Sequence, residues 1–276
     1  MKFPPSVVLP LIAAILVGCA PAHRAPHSSL STPQPQAAPN ASSFAYQLGI
    51  ACVASNDWGG AIIAFSGVLA ENPEDTWAYV YRAIAYVNKG DFDHAIGDLT
   101  KCIELDPSNG TPYCNRGSCF RATGQIEPAI RDLSEALRLC PTNLLARQER
   151  AFAYSAKGEF EKAIADNTEA IRLDRFSYPA HNGLAWLRAT CPKAHLRDGG
   201  EAIAEATKAC ELRHWASPNE VDTLAAALAE DGEYEQAVSW QTKALQMAGL
   251  TEVTRAEMQR RLALYQQRQP FHEQPK

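Results

Sequence analysis

Between residues 42 and 175 the apolar positions follow a 3.6-residue helical period in paired stretches, and each pair repeats after 34 residues. Ala61, Ala95, Ala129 and Ala163 fall at that spacing, as do Gly90, Gly124 and Gly158, and Pro73, Pro107 and Pro141. Three residue types in phase predict a stacked array of one helix–turn–helix unit. With units starting at Ser42, Thr76, Gly110 and Leu144, position 8 is always small: Gly49, Ala83, Gly117, Ala151. Position 20 is the recurring Ala, and position 24 reads Phe65, Leu99, Leu133 and then Asn167. Small residues at 8 and 20 let two antiparallel helices approach, and the larger ones fill the remaining gap. Gly at position 15 is expected to end the first helix in a left-handed conformation, and Pro at position 32 to stop the second.

These residues resemble the tetratricopeptide repeat. The resemblance implies an all-α fold, a right-handed superhelical solenoid of antiparallel helix pairs closed by a C-terminal capping helix. Four units are read over residues 43–175 and two divergent ones over 176–250. The fifth begins near Tyr178 with Ala185, and an insertion at 191–198 displaces its second-helix alanines, Ala202, Ala206 and Ala209. The sixth begins at Pro218 with Ala225, Gly232, Ala237 and Ala244 in phase. An amphipathic stretch at 251–268, carrying Leu262, Leu264 and Tyr265, is expected to cap the stack, with 269–276 as a disordered tail.

The first residues read as targeting rather than fold. Lys2 precedes an apolar run, Val7 to Val17, broken by Pro10 and too short to span a bilayer. It ends in Leu16-Val17-Gly18-Cys19, which resembles the lipobox of bacterial lipoproteins. The resemblance implies removal of 1–18, acylation of Cys19 and, with Ala20 rather than Asp after it, an outer-membrane anchor facing the periplasm. A plain secretory signal cut near the same place, or an uncleaved anchor, are the alternatives. Residues 19–42 are rich in Pro, Ser and Ala, cannot bury a core, and read as a disordered tether.

Charge narrows the function. The net charge is −5 with no Lys/Arg cluster, which argues against a nucleic-acid partner. Arg82, Arg116 and Arg150 share position 7, and Asp98, Asp132 and Asp166 share position 23. A lone charge on a packed helix face is costly, so a ladder of ion pairs within a unit, or reaching from the preceding one, is expected over an anion-binding stripe. Export permits disulfides, and Cys191–Cys210 and Cys114–Cys140 are the candidate bridges against a reading as buried thiols. Cys191 and Cys210 each have a histidine four residues on, His195 and His214, but the spacing fits no zinc module, and no metal or other cofactor is expected. No catalytic motif presents itself, so the chain does not read as an enzyme.

In the family it resembles, positions 2, 5, 9, 12 and 13 of each first helix line the concave face. Here they include Tyr46, Ile50, Val53, Trp77, Val80, Ile84, Val87, Arg121, Phe152 and Trp186. The set is apolar and aromatic with a single cation, unlike members that clamp a C-terminal carboxylate. The expected function is an envelope-anchored adaptor taking an apolar or aromatic peptide or helix of a protein partner in that groove. The alternative is a structural subunit of an outer-membrane assembly or secretion complex, docking through its convex face.

Overall fold

Short polar residues set where several of the helices begin. In a computed structural model describing residues 44–274, the side chains of Asp57, Asp75, Asp91, Asn109, Asp198 and Thr251 each accept a backbone N–H of the helix they precede. Thirteen helices result, and no strand occurs among the described residues. They run α1 Phe44–Ala54, α2 Trp58–Glu71, α3 Thr76–Asn88, α4 Phe92–Leu105, α5 Gly110–Ala122, α6 Ile126–Leu139, α7 Leu144–Lys157, α8 Phe160–Leu173, α9 Tyr178–Thr190, α10 Gly199–Leu212, α11 Pro218–Glu230, α12 Tyr234–Gln246 and α13 Glu252–Gln266. The fold class is an all-α helical repeat. The targeting segment, Cys19 and the tether lie outside the described residues.

First helices end as the glycine period requires. Gly90, Gly124 and Gly158 have φ of +77°, +79° and +82°, and Asn56 takes the equivalent place in the first unit at +59°. The following N–H reaches back to the helix in each case, as in Asp91 to the Tyr86 carbonyl at 2.9 Å. That is the Schellman closure, which satisfies otherwise orphaned carbonyls.

The described chain divides into two bodies, residues 44–146 and 147–274. In the first, positions 8 and 24 meet across each helix pair. A Cβ placed on Gly49 would lie 2.7 Å from the Phe65 ring, and one on Gly117 would lie 2.7 Å from Leu133 Cγ. Phe65, Leu99 and Leu133 are fully buried there. The second body has an alanine-rich core. Ala185, Ala202, Ala206, Ala225, Ala227, Ala237 and Ala244 are wholly inaccessible, and α11 is buried from Glu220 to Ala229 against α9, α10 and α12.

The arginine ladder closes within each unit. Arg82 makes a two-pronged pair with Asp98 at 2.8 and 2.7 Å, Arg116 with Asp132 at 2.7 and 3.0 Å, and Arg150 with Asp166 at 2.8 and 2.8 Å. The remaining guanidinium nitrogen reaches the preceding unit: Arg82 donates to Ser66 and Arg116 to Thr100, both at 2.9 Å. The guanidinium groups are therefore engaged in the seam and do not form an anion stripe.

In the C-terminal half the insertion is ordered, and one expectation, the disordered tail, is corrected. The insertion at 191–198 is folded: it contains a short 3-10 turn, Ala194–Leu196, and Arg197 and Arg188 tie down the carbonyls of Cys191 and Leu196 at 2.9 and 3.0 Å. The tail is not free either. Phe271, His272 and Glu273 lie against α9 and α11, with Glu273 N–H donating to the Thr190 carbonyl at 2.8 Å.

Candidate interaction face

The first-helix positions read as a groove separate into exposed and buried residues. Ile50 is 36% exposed, Trp77 41% and Phe152 45%. Val53 and Val80 are partly buried. The Trp77 ring meets that of Tyr81, with centroids 6.4 Å apart. An indole presented this way has a large apolar face still to desolvate, the property that makes Trp an interface anchor.

Tyr46 does not belong to that face. It is 7% exposed, its ring meets Phe65 edge-on at 5.6 Å and Tyr81 at 6.3 Å, and burial pushes its hydroxyl pKa well above the ordinary tyrosine value, with Tyr81 and Asp75 adding to the rise. Gly49 one turn along leaves the gap that the Phe65 ring fills, so Tyr46 is drawn into the first helix pair. Ile84 and Val87 are buried as well. With Val80, Leu99, Asn115 and Cys119 they line a cleft of only ≈ 10 Å³, about one water and too small for a partner's side chain. Arg121, expected as the groove's cation, is 6% exposed and sits inside the protein. Trp186 is partly covered by the tail, its indole N–H donating to Glu273 Oε1 at 2.9 Å.

The Cys191–Cys210 bridge does not form in this structure. Cys191 and Cys210 are buried free thiols. Burial pushes the Cys210 thiol up to about 12, helped by Glu220 and Glu211, and raises Cys191 too. Thiols held protonated this way are poor nucleophiles and pack as small hydrophobes. Among the described residues, no three His, Cys, Asp or Glu side chains gather as metal ligands.

One buried pair gave no sequence signal, because its members lie on different helices with no motif between them. His181 on α9 presents Nε2 to the Arg175 carbonyl at 3.0 Å and Nδ1 to the Glu205 carboxylate on α10. A ring facing two acceptors is satisfied when both nitrogens carry protons. Burial lowers its pKa, but the hydrogen bonds to Glu205 and the Arg175 carbonyl outweigh this and the nearby Lys208, and the net shift is upward. A raised folded-state pKa gives stability fully present below about pH 6.5 and lost as pH rises through the folded value. The melting-temperature advantage of the wild type over His181→Gln should therefore shrink between pH 6 and pH 9. A difference that stays constant over that range would show the imidazolium contributes nothing.

The comparisons agree with this geometry. Models of the Tetratricopeptide repeat match residues 77–109 and 111–143. No curated protein matches the chain in sequence. Among solved structures, PilW, described as a widely conserved type IV pilus biogenesis factor, superposes with a TM-score of 0.68 at 16% identity, over 79% of this chain and 99% of its own. MamA superposes at 0.55 with 24% identity, over 61% and 95% of the two chains. YrrB, described as a TPR protein with an unusual peptide-binding site, gives 0.54 at 19% identity over 71% and 98%. Likenesses at this identity speak to the fold. Taken with the family matches and the position 8, 15 and 24 geometry, they identify this chain as a tetratricopeptide-repeat protein.

Proposed function

We propose that this chain is an envelope-anchored adaptor, held to the outer membrane through an acylated Cys19, that takes an apolar or aromatic segment of a protein partner on its first-helix face. The protein-interaction role is the general one for this repeat fold; the anchor and the binding face are the specific reading. Trp77 carries it: a large aromatic left 41% exposed on a first helix, in a body whose other rings are mostly spent on packing. Ile50 adds exposed apolar surface on the first helix of the preceding unit. The anchor rests on the Leu16–Cys19 signal and the tether behind it. Several acyl chains on one cysteine would give stable attachment, since each buried methylene contributes about 0.8 kcal/mol.

A second reading has its own observation. Phe44, Leu48 and Ile63, on α1 and α2, are 80%, 44% and 75% exposed and form the N-terminal edge of the first body. Such an edge could dock a structural subunit into an assembly away from the groove face. Photo-crosslinkers at position 77 and at position 63 separate the two in intact membranes. The adaptor reading expects a protein adduct from position 77 and none from 63, and the reverse pattern would support the subunit reading. In the same cells Cys19→Ser should move the protein to the soluble envelope fraction and abolish fatty-acid labelling; persistent labelling would rule Cys19 out as the acylated residue.

A further inference from the structure

The chain reverses direction at the end of α13. Gln269 N–H bonds to the Leu264 carbonyl and Arg268 N–H to the Tyr265 carbonyl, both at 3.0 Å, with Arg268 at φ +57°. This is a Schellman turn with Pro270 just beyond it, and it sends the last residues back over α9 and α11. The segment Phe271-His272-Glu273 is then held by its three side chains besides its backbone bond to Thr190. The Phe271 ring lies 6.1 Å from the Trp186 ring and 5.5 Å from the Arg261 guanidinium, which is itself 5.4 Å from Trp186. His272 Nε2 is 2.6 Å from the Glu230 carboxylate, and the Glu273 carboxylate accepts from the Trp186 indole.

The groups under the tail are fixed without it. Arg261 is locked by a two-pronged pair with Asp222 at 2.9 and 2.8 Å, and Gln241 donates to the same carboxylate at 2.6 Å. Glu230 is held by Arg197 at 2.8 Å, and the Thr190 hydroxyl donates to the Trp186 carbonyl at 2.8 Å. Trp186 packs on the alanine-rich core. Arg261 and Glu230 therefore have partners outside the tail, while the tail touches this face through one ring, one imidazole, one carboxylate and one backbone N–H. Trp186 and Thr190 occupy positions 9 and 13 of the fifth unit, the register read above as the groove.

We propose that this face of α9 and α11 is a recognition site for an extended peptide of a partner protein carrying an aromatic residue and, two residues on, a carboxylate, and that Phe271-His272-Glu273 is its resident competitor. The tethered tail sits at high effective concentration, so weak contacts keep the site filled until a partner segment of the same chemistry displaces it. The inference rests on the groove reading above but concerns a separate place in the second body.

The test uses the full-length chain with Phe271→Ala and Glu273→Gln together, and as probe a fluorescein-labelled peptide of residues 267–276. Fluorescence polarisation should show saturable binding to the double variant at least tenfold tighter than to the wild type. Peptides with the Phe or the Glu changed in the same way should lose tenfold or more. Equal binding to both proteins, or none to a double variant with an unchanged melting temperature, would overturn the proposal. If the double variant melts cooperatively at a much lower temperature, and Glu273→Gln alone does so too, the tail is a structural brace and the proposal fails. Concentration-dependent dimerisation of the wild type that the double variant loses would make the tail a swap element between copies, again against it. A partner that still crosslinks at position 77 while the peptide fails would leave the adaptor reading standing without this site.

Discussion

Arg116→Ala is expected to destabilise the array by about 2–4 kcal/mol, far more than loss of a surface ion pair. Three contacts go at once: both prongs to Asp132, and the bond to Thr100 that joins this unit to the one before. The Arg116 and Asp132 side chains are only 17% and 12% exposed, so truncation leaves a carboxylate largely out of water with no countercharge. The guanidinium also lies 5.9 and 5.8 Å from the Tyr113 and Phe120 rings, and that contact is lost too. Arg138→Ala is the internal comparison. Its pair with Glu135 is an i,i+3 contact with Arg138 66% exposed, and about 0.5 kcal/mol or less is expected from it. Urea denaturation of the two variants beside the wild type measures both. A loss below about 0.5 kcal/mol for Arg116→Ala would mean the ladder is effectively solvated, and the tie between successive units would need another source.

How far the sequence could be read follows from where its information is periodic. Helix ends, the contacts of positions 8 and 24 and the Arg–Asp ladder repeat every 34 residues, so each unit restates the same steric demand. A Gly at position 15 can be recognised from its three copies before any φ is known. What the period could not settle was which unit supplies the ladder's aspartate, since both choices keep the phase. Side-chain geometry decides it: the aspartate is the unit's own, and the preceding unit contributes a hydroxyl.

The groove was less legible, because a register averages over units whose packing differs. Position 5 is a buried Tyr46 in the first unit and a partly buried Val80 in the second, and position 12 is a buried Val87 and then a buried Arg121. Exposure at those positions depends on the bulk of the neighbouring helix, which the repeat does not fix. The tail and the His181–Glu205 pair were out of reach for a different reason. They join single, non-repeating residues far apart in the chain, such as Trp186 with Glu273, and a short polar segment after a helix looks unstructured until its receptor is known. The cysteines show the converse limit: the expected export would permit disulfides, but Cys191 and Cys210 are both drawn into the interior as thiols.

The second large effect expected is on binding. Trp77→Ala should weaken capture of the partner crosslinked from that position by about 2 kcal/mol, roughly 30-fold in Kd, because exposed indoles that become buried dominate interface energies. The same change should cost the fold less than about 1 kcal/mol, since the ring is 41% exposed and its one recorded ring neighbour is Tyr81. The decisive measurement is therefore a paired one on a single variant: Kd for the captured partner and the melting temperature of Trp77→Ala, each against wild type. A weakened Kd with a melting temperature within a few degrees of wild type is the expected result. Unchanged Kd with normal melting would contradict it and place the partner on another surface, while early melting would make Trp77 a packing residue and remove the groove's best anchor.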